Sequence, residues 1–261
     1  MLENRSHSSR ADCPVLITGG ARRIGKAMVE YLAAQGFPVV IHCNRSIAES
    51  EALADGIAGQ GGRAAVVQAD LMQDEDVRGL IPAAADKFGP IRLLINNASL
   101  FEDDRIGQLD MALWEKHFTL HVRTPAILAE EMYRHLPAEL EGLIINMIDQ
   151  RVWKLNPLFF SYTLSKTALW NATKTMAQAF APRMRVNAIA PGPTLPSERQ
   201  EQSDFDRQVA ALPLQRAPAL DEFGKTVCLL WECRSITGQM LALDGGQHLA
   251  WETPDIAGIP E

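Results

Sequence analysis

Short apolar runs alternate along the chain with longer segments in which apolar residues recur every three or four positions. The runs at 14–18, 38–42, 64–68, 92–96, 142–147, 184–190 and 238–243 are short and mostly rich in Val, Ile and Leu, and read as strands. Between them, segments 23–35, 48–58, 74–88, 111–136, 161–180, 204–211 and 221–231 read as helices. The first carries Ile24, Ala27, Met28, Tyr31 and Leu32 on one stripe and stops at Gly36. Segment 111–136 is long enough for two helices bent near Pro125, and Pro182 closes 161–180. Strands alternating with helices predict an α/β fold: a single Rossmann-type doubly wound domain with a seven-stranded parallel sheet flanked by helices. A ligand is expected at the carboxyl ends of the strands, where the strand order reverses.

A chain of 261 residues suits one large domain, expected over 13–247, with a polar flexible start at 1–12 and a tail at 248–261. Hydrophobic residues make up 47% and charged residues 22%, values that exclude wholesale disorder. The balance of 25 basic and 32 acidic residues argues against a nucleic-acid partner. No apolar run reaches the ~18 residues of a membrane span, and residues 1–12 lack the apolar core of a signal peptide. Cys13, Cys43, Cys228 and Cys233 form no CxxC pair and no metal-ligand spacing, so buried thiols, no metal and a reducing cytoplasm are expected.

Chemistry is concentrated in two places. Thr18-Gly19-Gly20-Ala21-Arg22-Arg23-Ile24-Gly25 joins the first strand to the first helix. Glycines there let the backbone approach a phosphate, and the helix start offers free N–H groups. Tyr162 and Lys166 stand four residues apart on one helix face. An ammonium beside a phenol favours the phenolate and lowers a pKa normally near ~10. Alone, either motif is a weak signal.

Together with three more they make a specific pattern. Over about residues 14–247 the chain resembles the short-chain dehydrogenase/reductase family. The family's TGxxxGxG falls on Thr18 to Gly25, with Arg23 in place of the middle glycine. NNAG falls on Asn96-Asn97-Ala98-Ser99, YxxxK on Tyr162 to Lys166, NxxxPG on Asn187 to Gly192 and DGG on Asp244-Gly245-Gly246. The resemblance implies a reductase with NADPH as cofactor. Gly19, Arg23, Ile24, Gly25, Asp70, Leu71, Asn97, Ala98, Ser99, Tyr162, Lys166, Pro191, Gly192 and Thr194 would bind it. The end of the second strand reads His42-Cys43-Asn44-Arg45-Ser46, with no acid for a ribose hydroxyl. Asn44, Arg45 and Ser46 therefore join the cofactor set, Arg45 as the fork for a 2′-phosphate.

Three departures narrow the resemblance to the pteridine reductase and dihydromonapterin reductase branch: Arg23, Ser99 and Asp149, the last thirteen residues before Tyr162. The implied catalytic residues are Asp149, Tyr162 and Lys166. Arg23, Ser99, Phe101, Asp149 and Tyr162 would hold the substrate, with Phe101 stacked on a flat pterin ring. Asp149 in a half-buried pocket would have a raised pKa, as a proton donor needs. Asn44 and the Pro191-Gly192-Pro193-Thr194 run depart from that branch. His121 stands where the family has a helix Asn, and packing is the preferred reading for it over relay. Segment 151–160 is expected to wall the substrate pocket and 196–212 to form a lid.

The expected reaction is NADPH-dependent reduction of a C=N bond in a dihydropteridine or dihydrofolate, with Tyr162 or Asp149 giving the proton. Two alternatives stay open: a carbonyl reductase acting on a small ketone or 3-oxoacyl thioester, and a catalytically silent NADPH-binding sensor. The family pattern also implies a homotetramer built on 111–136 and 161–180. The tail, with Trp251, Ile256 and Ile259, is expected against a neighbouring subunit.

Overall fold

Seven parallel strands form one sheet in the order β3-β2-β1-β4-β5-β6-β7. The computed structural model describes residues 9–196, 200–253 and 257. The strands are β1 (Val15–Ile17), β2 (Val39–Cys43), β3 (Ala64–Gln68), β4 (Leu93–Asn96), β5 (Gly142–Met147), β6 (Met184–Pro191) and β7 (Met240–Leu243). Helices α1 (Arg23–Ala34), α2 (Ile47–Gly59), α3 (Asp74–Phe88), α4 (Met111–Phe118), α5 (Thr124–His135), α6 (Phe160–Phe180), α7 (Gln202–Ala210) and α8 (Leu220–Glu232) lie between them.

Alternation along the strands splits the core into two layers. Val15, Ile17, Ile41, Ile95 and Ile145 face α1 and α8, packing with Met28, Leu32, Phe223 and Val227. Leu16, Val40, Leu94 and Ile144 face the other side, against Val77, Leu80, Leu128 and Met132 of α3 and α5. Both faces are covered, so the central strands are apolar throughout, as a parallel sheet requires. Each fully buried Leu or Ile contributes roughly 1.5–3 kcal/mol. After β3 the chain crosses to the far side of β1, and the strand order reverses between β1 and β4. The crevice at their carboxyl ends is the topological switch point.

Two expectations change in detail. The 111–136 segment is two helices that meet just before Pro125, as the expected bend there implied, but their junction is not a simple proline kink. A π-helical stretch, Thr119–Arg123, links α4 to α5, and the Thr124 N–H bonds to the Thr119 carbonyl five residues back. Pro125 has no N–H to continue the normal ladder, which favours the wider register. The expected loose start is corrected for residues 9–12. Ser9 caps a 3-10 turn at Arg10–Asp12, and the Arg10 guanidinium donates to Gln35 Oε1 at 2.7 Å. Residues 1–8 lie outside the described part, as do 197–199 of the expected lid. Cys13, Cys43 and Cys228 are buried thiols and Cys233 is half-buried.

In the tail, the Lys154 ammonium donates to the Ala250 carbonyl at 3.0 Å, and Trp251 is exposed. Ile256 and Ile259 lie outside the described residues. Among the described residues, no helix is long and apolar enough to cross a membrane.

Candidate active site

Thr18, at the end of β1, stitches the crevice together. Its hydroxyl accepts the N–H groups of Asn97 and Ala98 at 2.9 and 3.0 Å. The Asn97 amide donates back to the carbonyls of Thr18 and Gly19. Gly25 then packs so closely that a Cβ would sit 2.3 Å from the Gly19 carbonyl oxygen. Glycine at 25 is thus a steric requirement of the turn. His42 closes it from β2: the Gly19 N–H donates to Nδ1, and Nε2 donates to the Ala69 carbonyl, each at 3.1 Å. Burial holds the His42 pKa down to about 4, so the ring is neutral.

A cavity of about 820 Å³ opens in front of this turn. Gly19, Arg23, Ile24, Gly25, Asn44, Asp70, Leu71, Asn97, Ala98 and Ser99 all border it. No side chain caps α1, so its first-turn N–H groups remain available there. Arg23 adopts φ +52°, a left-handed conformation that explains why glycine suits this position. Its guanidinium donates to the carbonyls of Leu195 and Pro196 at 3.3 and 3.0 Å, tying α1 to the loop after β6.

Arg45 and Ser46 do not border the cavity. Arg45 is exposed just beyond Asn44, whose amide donates to Asp70 Oδ1 at 3.2 Å. Arg22 does border it, ion-paired with Glu49 of α2. The motif reading passed over Arg22 because the family pattern leaves that position free.

A second cavity, of about 470 Å³, continues from the first. It brings Asp149, Tyr162 and Lys166 together with Arg23, Ser99, Phe101, Pro191, Gly192 and Thr194. Gly192 must be small, since a Cβ would lie 2.6 Å from Asp244. Thr194 donates to the Gly192 carbonyl at 3.0 Å.

The Tyr162 hydroxyl donates to Asp149 Oδ2 at 3.0 Å, and Asp149 Oδ1 accepts the Arg151 N–H at 2.8 Å. Burial raises the Asp149 pKa, against the opposing pull of that N–H and the Arg151 charge. Asp149 is therefore both a local cap and the partner of Tyr162.

The expected depression of the Tyr162 pKa is corrected. Burial first, and then the Asp149 charge, hold it well above its ordinary value. Lys166 points elsewhere, donating to the Met147 carbonyl at 2.7 Å, and its nitrogen is 5.8 Å from the Tyr162 ring centre. Burial brings the Lys166 pKa down to about 8.

His121 also departs from expectation. It is buried but not merely packed. The Leu100 N–H donates to its Nε2 at 3.2 Å, so in the neutral ring Nδ1 carries the hydrogen and donates to Ser165 Oγ at 2.8 Å. Ser165 in turn donates to the Tyr162 carbonyl at 2.7 Å, and Ser99 Oγ lies 3.1 Å from Nε2. His121 thereby locks the Ser99 segment to the Tyr162 helix. One turn earlier, His117 Nδ1 meets Ser161 Oγ at 2.7 Å, repeating the pattern.

Phe101 stacks on Phe159, with ring centres 4.1 Å apart, and meets the Tyr162 ring edge-on at 4.8 Å. The 151–160 segment does wall the second cavity, through Arg151 and Phe159.

Comparison with known proteins adds the lineage. The short chain dehydrogenase family model matches residues 14–207. The crystal structure of FolM alternative dihydrofolate reductase 1 from Brucella canis, complexed with NADP, is 70% identical, with a TM-score of 0.94. That match covers 96% of this chain and all of the other. Dihydromonapterin reductase of Klebsiella pneumoniae is 28% identical over 90% of this chain and 97% of its own. A 3-oxoacyl-[acyl-carrier-protein] reductase of Synechocystis is 30% identical over 88% of this chain and 95% of its own.

Proposed function

Since the chain belongs to the short-chain dehydrogenase family, we propose that it reduces a C=N bond of a dihydropteridine or dihydrofolate with NADPH. The observation that carries this reading is the buried contact between the Tyr162 hydroxyl and Asp149, in one cavity with Ser99, Phe101 and Arg23. The NADP-bound relative at 70% identity, itself an alternative dihydrofolate reductase, supports it.

The residues present fit the cofactor. The turn from Gly19 to Gly25 places the uncapped start of α1 on the larger cavity, with Arg22 and Arg23 beside it. Asp70, Leu71, Asn97 and Ala98 line the rest, and Lys166, Pro191, Gly192 and Thr194 line the smaller cavity, which shares Arg23, Ile24, Asn97 and Ser99 with the larger. Arg45, with Ser46 beside it, supplies a cation at the end of β2 for a 2′-phosphate. NADPH, when bound, supplies the hydride.

The chain's own residues handle the proton. Tyr162 is protonated at neutral pH and donates to the substrate nitrogen. In the contact described above its hydrogen points to Asp149. A protonated Asp149 reverses that contact, donating to the Tyr162 oxygen and freeing the phenolic hydrogen for substrate. Burial raises the Asp149 pKa and so favours this form. The proton then passes from Tyr162 to nitrogen and from Asp149 to Tyr162, and solvent reloads Asp149. Phe101 offers an aromatic face, Ser99 a hydroxyl and Arg23 a cation to the ring.

The same reading carries a homotetramer in the cytoplasm. Exposed Met111, Tyr133 and Leu164 on α4, α5 and α6 support the oligomer. Light scattering on the purified protein tests it, and a monomer overturns it.

The activity test is NADPH oxidation against 7,8-dihydrobiopterin, dihydromonapterin, dihydrofolate and an acetoacetyl thioester. Turnover of a dihydropterin or dihydrofolate that is lost in Tyr162→Phe is expected. Turnover of the thioester alone overturns the pterin reading in favour of a carbonyl reductase.

A further inference from the structure

Phe159 sits immediately before α6 with φ +56°, a left-handed conformation that a bulky aromatic residue rarely adopts. Its backbone is pinned there from both sides. The Phe159 N–H donates to Asp103 Oδ1 at 2.8 Å, and its carbonyl accepts the Thr163 N–H at 2.9 Å. Such a conformation persists only where the surroundings impose it. What it achieves is the placement of one ring: Phe159 lies flat on Phe101, the planes 7° from parallel and the centres 4.1 Å apart.

Both rings border both cavities, so this stack stands at their junction, beside Tyr162. A spacing of 4.1 Å is single ring-to-ring contact. No second planar group can enter between the rings while they touch. A flat substrate reaches that face of Phe101 only if the Phe159 ring leaves it. Because the backbone is pinned, side-chain rotation is the motion available.

Arg151 completes the arrangement. Its guanidinium carbon is 5.0 Å from the Phe159 ring centre and 5.6 Å from that of Phe101. Near-equal distances to two stacked rings place the cation at the rim of the stack, not on top of it. Its Nη1 is buried without a hydrogen-bond partner, and the residue borders the smaller cavity. Gln150, next to it and 6% exposed, also has a buried partnerless oxygen and borders the same cavity. Buried polar atoms normally have partners. Two adjacent ones without any, at the edge of an aromatic slot, mark a place where a ligand supplies the missing bonds.

We propose that the Phe159 ring is a plug which the flat ring of the substrate replaces on Phe101, and that Arg151 and Gln150 then read the edge of that ring. Arg151 donates to an oxygen on the ring edge, and the Gln150 oxygen accepts an N–H. The ligand class is a planar heterocycle bearing both an edge carbonyl and an edge N–H. This rests on the pterin reading and deepens it, by assigning the selection of the ring to residues outside the Asp149, Tyr162 and Lys166 centre.

The test combines kinetics with a direct view of the plug. With 7,8-dihydrobiopterin as substrate, Arg151→Met is expected to raise KM tenfold or more, with kcat falling less. Phe159→Ala is expected to lower KM severalfold, because nothing need be displaced, whereas Phe101→Ala raises it. Each variant is expected still to bind NADPH, followed by its fluorescence, which shows that it is folded. A 4-fluorophenylalanine at 159 is expected to shift its fluorine resonance when dihydrobiopterin is added to the NADPH complex, beyond any shift that NADPH alone produces.

An unchanged KM in Arg151→Met, or a KM raised by Phe159→Ala as by Phe101→Ala, overturns the proposal. So does a fluorine line that ignores the pterin while turnover proceeds. If the pterin shifts the line but is not reduced, the plug stands and the reaction assignment fails.

Discussion

Asp149 and Tyr162 meet inside the protein, and each shifts the other's protonation. If Tyr162 delivers the proton, Tyr162→Phe should lower single-turnover reduction by at least about 100-fold, the scale of a lost general acid. NADPH binding should persist. The pH profile should be one-sided. A protonated Asp149 is needed, so kcat/KM falls as pH rises through its raised pKa. Lys166 is cationic only below about pH 8, so a separate fall belongs there. Asp149→Asn should remove the fall that belongs to Asp149 and keep the one near pH 8, and a profile identical to wild type would exclude Asp149 from the proton path. The spacing puts Tyr162 and Lys166 on one helix face, but the pair became a specific signal only beside the other four motifs. The direction of the lysine was not legible. Its bond to the Met147 carbonyl depends on where β5 ends beside α6, a tertiary fact that no local spacing carries. Asp149 and Phe101 were legible only through family resemblance, and the Phe159 stack not at all.

At the scale of elements, the first turn and the π-helical stretch do most of the positioning. Gly25→Ala puts a methyl carbon 2.3 Å from a carbonyl oxygen and 2.7 Å from the Asn97 amide. Backbone must shift, so a loss of about 2 kcal/mol or more in urea unfolding is expected, with weakened NADPH binding. The π-helical stretch lets His121 reach Leu100, Ser99 and Ser165 together. His121→Leu leaves the half-buried Leu100 N–H and the Ser165 hydroxyl without that partner, and about 1–3 kcal/mol should be lost in all. It should also slow turnover, by loosening Ser99 against Tyr162. Hydrophobic periodicity placed helical structure over 111–136, and α4 and α5 lie there with the π-helical stretch between them. The wider register was hidden because one extra residue in a turn changes hydrogen bonding more than it changes the apolar stripe. Strand positions were legible nearly to the residue, since a sheet covered on both faces needs unbroken apolar runs.

Across the whole molecule, three buried histidines tie stability to pH. His42, His117 and His121 all have lowered pKa values, with desolvation the main cause. For His42 the ring protonates near pH 6.5 in the unfolded chain and only at about 4 in the fold. Acidification through that window charges the unfolded state alone, so stability is full above pH 6.5 and falls towards pH 4. The loss from this residue is about 3 kcal/mol, and His117 and His121 add to it with the same sign. Urea midpoints at pH 7 and 4.5 should differ clearly in the wild type and less in His42→Gln. The sheet order that brings His42, the glycine turn and Asp149 to one crevice also makes the molecule a hydride-transfer enzyme of one defined kind. The measurement that tests this most directly is single-turnover oxidation of bound NADPH by 7,8-dihydrobiopterin, in the wild type and in Tyr162→Phe. Rapid oxidation in the wild type that is nearly abolished in the variant is the predicted result. Equal rates in both, or no oxidation by the wild type with NADPH tightly bound, would contradict it.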